Sequence, residues 1–226
     1  VLDFEVIDHA ESAIGVIILR RLILPHRHVI EITLEHQFLM SDAVTVSERE
    51  LATRAIAMHG GTNLDVMIGG LGLGHTAKAA LESDHVACVE VVELLPAVIE
   101  WTQRGLVPLG HELMADPRFH VSQDDVYTRL GQAPTKKHDI VIIDVDHSPD
   151  ARLGDSSDSF YSHEKLELAK RHLAPQGIFG VWSTSESPTF EAELRKAFGE
   201  VRVDAIDFIN DAVGGPETNW LLFARK

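Results

Sequence analysis

Residues 64–74, Leu-Asp-Val-Met-Ile-Gly-Gly-Leu-Gly-Leu-Gly, constrain the fold of this chain more than any other stretch. The apolar run Val66, Met67 and Ile68 leads directly into Gly69, Gly70, Gly72 and Gly74, and a helix-compatible segment, 75–82, begins at once. Glycine lets a backbone turn tightly and come close to a ligand with no side-chain clash. Strand, glycine turn and helix in that order predict a nucleotide cradle of the Rossmann type. The same pattern also serves to pack a helix on a sheet, so the strands that follow decide between the two uses.

The next apolar run, 86–93, ends in a carboxylate about 20 residues after the glycines. An acid at that spacing accepts hydrogen bonds from the ribose hydroxyls of a bound nucleoside. Glu90 and Glu93 compete for the role, and period-two alternation puts them on opposite faces. Glu93 is preferred because it stands at the strand end, where open α/β sheets bind ligands. Two more acidic corners follow strands: Asp124-Asp125 after 119–122, and Asp144-Val145-Asp146-His147-Ser148-Pro149 after 139–143. Asp125 is placed to accept an adenine amino group, and Asp144, Asp146 and His147 to meet the reactive group of the nucleoside. Each corner taken singly also fits a turn or a cap.

Asp and Glu number 35 against 20 Lys and Arg, a net charge of −15 over 226 residues. Such a balance argues against nucleic acid, whose phosphates it repels, and suits a cationic small-molecule substrate. Cys88 is the single cysteine, so neither a disulfide nor a multi-cysteine zinc site is expected, and no metal is. The apolar run 16–19 is too short to span a bilayer. No secretory signal is visible, and the expectation is a cytoplasmic protein without a membrane partner.

Residues 1–45 are expected to form a small antiparallel β unit. Segment 29–35 alternates, with Ile30, Ile32 and Leu34 on one side and Glu31, Thr33 and Glu35 on the other. Segment 13–24 reads as a strand pair or one bent strand, and Pro25-His26-Arg27-His28 as a turn. Ser47-Glu48-Arg49-Glu50 reads as a capping box opening a helix over 51–58. From there strands at 64–68, 86–92, 119–122, 139–144 and 178–182 alternate with helices at 75–82, 96–104, 162–173 and 188–198. Strands at 201–209 and 219–224 close the chain as an antiparallel hairpin. The pattern predicts an α/β domain over 46–226 with a mostly parallel seven-stranded sheet covered on both faces.

These motifs resemble those of the polyamine aminopropyltransferases, the spermidine and spermine synthases, built on the class I S-adenosylmethionine-dependent methyltransferase fold. The likeness runs from about residue 30 to 183. Ile68-Gly69-Gly70-Leu71-Gly72-Leu73-Gly74 is similar to the family's Ile-Gly-Gly-Gly-Asp-Gly-Gly loop. Val92-Glu93 through Val98-Ile99-Glu100 resembles its ribose-binding segment, Asp116-Pro117-Arg118-Phe119 with Asp125 its adenine side, and 139–144 the strand before its catalytic loop. The resemblance implies transfer of an aminopropyl group from decarboxylated S-adenosylmethionine to a small amine, for example a polyamine, with release of methylthioadenosine. It implies a donor pocket of Gly69, Gly70, Gly72, Gly74, Glu93, Asp125 and Val126, catalysis by Asp144 with His147 sharing or replacing it, Asp146 as anchor of a distal ammonium, and a homodimer.

The departures lie on the amine side. The second Asp of the family's catalytic loop falls on His147, with Asp146 one position earlier, and its glycine-loop Asp is Gly72 here. The family's Tyr-(x)-Glu-(x)-Leu-(x)-His segment falls on 47–53 without its Tyr or His, and a Gln of its N-terminal unit is found only as Gln37, out of register. The alternative reading is therefore a methyltransferase, or a transferase of another group derived from S-adenosylmethionine. A nucleoside-binding protein without catalysis is the third.

Overall fold

The computed structural model describes residues 3–12, 14–145, 160–210 and 214–226. Two sheets organise them. The first is an antiparallel meander of β1 (Asp3–Ser12), β2 (Gly15–Ile23), β3 (His28–Leu34) and β4 (Gln37–Ser41). Segment 15–23 is a single strand, paired with β1, a partner strand that the sequence pattern does not mark. The turn expected at 25–28 is present, closed by Leu24 N–H donating to the Arg27 carbonyl at 3.0 Å. No sequence signal announces β4, because its turn is built on Glu35 and His36, both left-handed at φ 49° and 66°, where Asn-Gly would have given the signal. Alternation predicts that β3 is buried on one face only. Glu31 and Thr33 are buried as well, because the opposite face of this sheet walls a cavity and Arg20 pairs with Glu31 at 2.8 Å.

Helix α1 (Val46–His59) joins the two sheets in sequence, burying Leu51, Ala52, Ala55 and Ile56 along one stripe. It starts at Val46, ahead of the expected cap at Ser47, and the capping box does not form: Thr45 is the N-cap and makes no side-chain cap. The Ser47 hydroxyl is instead drawn to partners on distant strands.

Next come β5 (Leu64–Gly69), α2 (His75–Leu81), β6 (Val86–Glu93), α3 (Pro96–Gln103), α4 (Gly110–Ala115), β7 (Phe119–Gln123), α5 (Val126–Gly131) and β8 (His138–Ile143). The chain continues through α6 (His163–Lys170), β9 (Leu173–Ser183), α7 (Pro188–Ala197), β10 (Glu200–Asn210) and β11 (Gly215–Arg225). The second sheet has the order β10-β11-β9-β8-β5-β6-β7, parallel throughout except that β11 runs antiparallel to β9 and β10. The mostly parallel seven-stranded sheet with a terminal hairpin and an N-terminal antiparallel unit is as expected. Helices α4 and α5 are not foreseen by the sequence pattern; each is six residues long, too short for a periodic signal.

Alternate residues of the central strands feed two cores. Val66, Ile68, Val89, Val91, Ile140 and Ile142 pack with α1 and α2 on one face. Met67, Val92, Val141 and Ile143 pack with Leu166 of α6 and Phe190 and Leu194 of α7 on the other. Arg118 staples the edge: it pairs with Asp116 at 2.8 Å and donates to the carbonyls of Leu81 and Val86 at 2.6 and 3.1 Å. Strand order reverses between β5 and β8, and a crevice opens there at the carboxyl ends of the strands.

Gly70 sits at that crevice with φ 98°, and a Cβ on it would lie 2.0 Å from the Asp144 carbonyl oxygen. Gly70→Ala should therefore cost about 3 kcal/mol or more in urea denaturation. At Gly131, by contrast, a Cβ would meet no atom within 4 Å, and Gly131→Ala should be neutral or stabilise by up to about 1 kcal/mol.

Candidate active site

The glycine turn is held from both sides by backbone hydrogen bonds. Gly70 N–H donates to the Val92 carbonyl at the end of β6, and Asp144 N–H donates to the Gly69 carbonyl, both at 2.8 Å. Gly69 packs on Val126, so that a Cβ would come within 2.5 Å of its Cγ2. The next turn residues bring Gly72, at φ 53°, beside Met40 of β4, whose Sδ would be 2.9 Å from a Cβ.

Glu93 ends β6 beneath this turn, 7% exposed. Its Oε2 accepts from Leu71 N–H and its Oε1 from Leu95 N–H, both at 2.7 Å. Burial nevertheless pushes its carboxyl above the ordinary glutamate range. Glu90 points to the other face and pairs with Arg129 at 2.7 Å. Asp125 caps α5, accepting from Tyr127 N–H and Thr128 Oγ1, both at 2.9 Å.

Asp144 follows β8, half-buried, and accepts a hydrogen bond from Thr76 Oγ1 in the first turn of α2. Asp146 and His147 lie outside the described residues. On this side of the turn lies a cavity of about 520 Å³, with Gly72, Gly74, Thr76 and Asp144 in its wall. The wall also includes Glu48 of α1, Trp182 of β9, and Glu31 and Met40 of the N-terminal sheet. Gly69, Gly70, Glu93, Asp125 and Val126 do not line this cavity.

Several cavity residues are not among those the sequence singles out. Thr76 is legible in principle, since it lies two positions beyond the last glycine of the turn. Glu48 falls at an unspecified position of the expected capping box, and nothing local marks Trp182 or Met40. His75 also lines the cavity; its Nε2 is buried with no hydrogen-bond partner among the described residues. Burial and the nearby Arg49 push its imidazole below the usual histidine range, which favours the neutral ring.

No family model matches the chain. It is 28% identical over 149 residues to a polyamine aminopropyltransferase of Prochlorococcus marinus, covering 66% of this chain and 47% of that protein. A polyamine aminopropyltransferase of Mycobacterium tuberculosis is 34% identical over 126 residues, covering 55% of this chain and 23% of that protein. The chain thus spans about half the length of the first relative and about a quarter of the second. The spermidine synthase from Thermotoga maritima superposes with a TM-score of 0.75 at 19% identity, covering 98% of this chain and 72% of that one. A spermidine synthase in complex with the transition state analogue AdoDATO gives 0.73 at 19% identity, with coverage of 98% and 72%. The chain has the fold of these spermidine synthases, and its sequence is similar to those of polyamine aminopropyltransferases.

The buried Glu93 carboxyl makes stability depend on pH. Its folded-state pKa is raised above the reference value of 4.5, so its contribution is full below about pH 4.5 and is lost as pH rises through the raised value. Glu93→Gln cannot titrate. The stability of wild type minus that of Glu93→Gln, from urea denaturation between about pH 4 and 8, should therefore fall as pH rises.

Proposed function

We propose that this chain transfers an aminopropyl group from decarboxylated S-adenosylmethionine to a small amine of the polyamine class. The observation that carries the reading is the cavity against the glycine turn, with the carboxylates of Asp144 and Glu48 in its wall. Carboxylates there attract both a sulfonium donor and an ammonium acceptor. The similarity to polyamine aminopropyltransferases supports the same choice.

In this reading Glu93 receives the ribose hydroxyls and Asp125 the adenine amino group, with Val126 and the turn from Gly69 to Gly74 around the nucleoside. A carboxylate has about four acceptor positions, and the backbone amides of Leu71 and Leu95 already donate to Glu93. The ribose hydroxyls would take the remaining acceptor positions. The amine nitrogen attacks the methylene carbon beside sulfur; the N–C bond forms and the C–S pair leaves with methylthioadenosine. An alkylammonium has a pKa of about 10.4, so freeing its lone pair at neutral pH costs about 4–5 kcal/mol. Carboxylates also favour the protonated amine, so a base must take the proton as attack proceeds. Asp144 takes that role, with His147 sharing it and Asp146 holding a distal ammonium.

A second reading, methyl transfer from S-adenosylmethionine, is favoured by one observation: the Met40 thioether, and not a carboxylate, adjoins the turn at Gly72. Calorimetry with S-adenosylmethionine, its decarboxylated form and methylthioadenosine separates the two. Preference for the decarboxylated donor supports aminopropyl transfer, and preference for S-adenosylmethionine itself replaces it. Asp144→Asn should bind methylthioadenosine near-normally while turnover falls about a hundredfold or more, the scale of losing a general base. Wild-type turnover in that variant removes Asp144 from the mechanism.

The chain is further proposed to act as a homodimer. The N-terminal sheet supports this, since it leaves Phe4, Val6 and Phe38 about half exposed or more. A 25.0 kDa species in sedimentation at micromolar concentration would count against it.

A further inference from the structure

Ser47 is the second residue of α1 and is fully buried, yet its hydroxyl makes three hydrogen bonds. Trp182 Nε1 donates to it from β9 at 3.0 Å, and Asn219 Nδ2 donates from β11 at 2.9 Å. Ser47 Oγ itself donates to Glu48 Oε2 at 2.7 Å. A serine hydroxyl has two acceptor positions and one proton, and an indole N–H can only donate. With both acceptor positions occupied, the single proton has one destination, the Glu48 carboxylate.

Glu48 lines the same cavity as Asp144, and Thr76 links the two. Its Oγ1 donates to Asp144 Oδ2 and lies 3.3 Å from the Glu48 carbonyl oxygen. The Glu48 carboxylate has no ion pair among the described residues, although much of it is buried. A carboxylate withdrawn from water without a cation is costly unless a ligand brings one. Leu22, Val29, Leu39 and Val44 line the same cavity, an apolar lining that accepts methylene groups.

We infer that Ser47 is a positioning residue that fixes the Glu48 carboxylate as the cavity's contact for a cationic nitrogen of the amine acceptor. The inference rests on the amine-transfer reading and adds to it the group that binds the acceptor. Trp182 and Asn219 orient the hydroxyl, the hydroxyl orients the carboxylate, and Asp144 in the same cavity wall remains for the reacting nitrogen. Ser47 thereby ties β9 and β11 of the sheet to a residue at the start of α1.

The test is calorimetry of the methylthioadenosine-loaded protein with 1,4-diaminobutane as probe. Glu48→Ala and Glu48→Gln should each weaken diamine binding by about tenfold or more, and Ser47→Ala by about fivefold. The Ser47→Ala/Glu48→Ala double variant should bind no more weakly than Glu48→Ala, because a positioning residue loses its effect once its target is gone. In turnover the same single variants should raise the diamine KM and leave kcat within about twofold. Methylthioadenosine affinity should stay within about twofold throughout. Should Ser47→Ala fail to fold, Trp182→Phe removes one donor and should show the same dependence on Glu48. Additive losses in the double variant, or matching losses of methylthioadenosine affinity, would reduce Ser47 to a packing role and overturn the inference. Wild-type diamine affinity in Glu48→Gln would overturn it while the amine-transfer reading stands. A wild type that binds methylthioadenosine but no diamine would remove both.

Discussion

The site depends on the clamping of one glycine turn between two parallel strands. Gly70 N–H on the Val92 carbonyl and Asp144 N–H on the Gly69 carbonyl join β6, β5 and β8 where their strand order reverses. The Glu93 carboxylate then gathers the amides of Leu71 and Leu95 beneath the turn. A buried carboxyl in that position draws its stability from backbone donors and not from a cation. Any ligand that uses Glu93 must therefore share its carboxylate with the turn. The close approach of Gly70 to the Asp144 carbonyl couples the turn to the residue proposed as base, since moving one displaces the other.

The N-terminal sheet turns this crevice into a cavity. One face of the meander packs Ile17, Leu19 and Ile32 into the core. The other presents Leu22, Val29 and Glu31 to the cavity. Glu31 is neutralised by Arg20, whose guanidinium also stacks over Phe4 at 5.0 Å, whereas Glu48 has no such partner among the described residues. The cavity's acids are thus unequal: Glu31 already has its cation, and Glu48 has no ion pair among the described residues. The overall charge of −15 makes approach of a cation favourable, but the local pairing decides where it would stop.

The central alternation of strands and helices was legible because 140–143 is wholly apolar and 86–92 nearly so, as central strands of a covered parallel sheet are. The glycine turn was legible because positive φ and close approach leave few other residues possible. The N-terminal unit was only partly legible. Its β3–β4 turn uses Glu35 and His36 in left-handed conformation, so the usual turn signal is missing. The capping box at Ser47 was a false signal: the local spacing was right, but Trp182 and Asn219, 135 and 172 residues away, compete for the hydroxyl and hold it.

By itself the sequence determined the layered α/β fold, the position of the glycine turn and the acids at successive strand ends. Periodicity and glycine conformation act over a few residues and leave their mark locally. Which acids share a cavity was decided only by tertiary structure. Glu93 and Asp125 stand outside the cavity wall while Glu48, Thr76 and Trp182 stand within it. That division follows from how a twisted sheet, one helix and a four-stranded meander pack together. Packing joins residues such as Thr76 and Asp144, 68 positions apart, through a single hydroxyl whose partners no local pattern encodes.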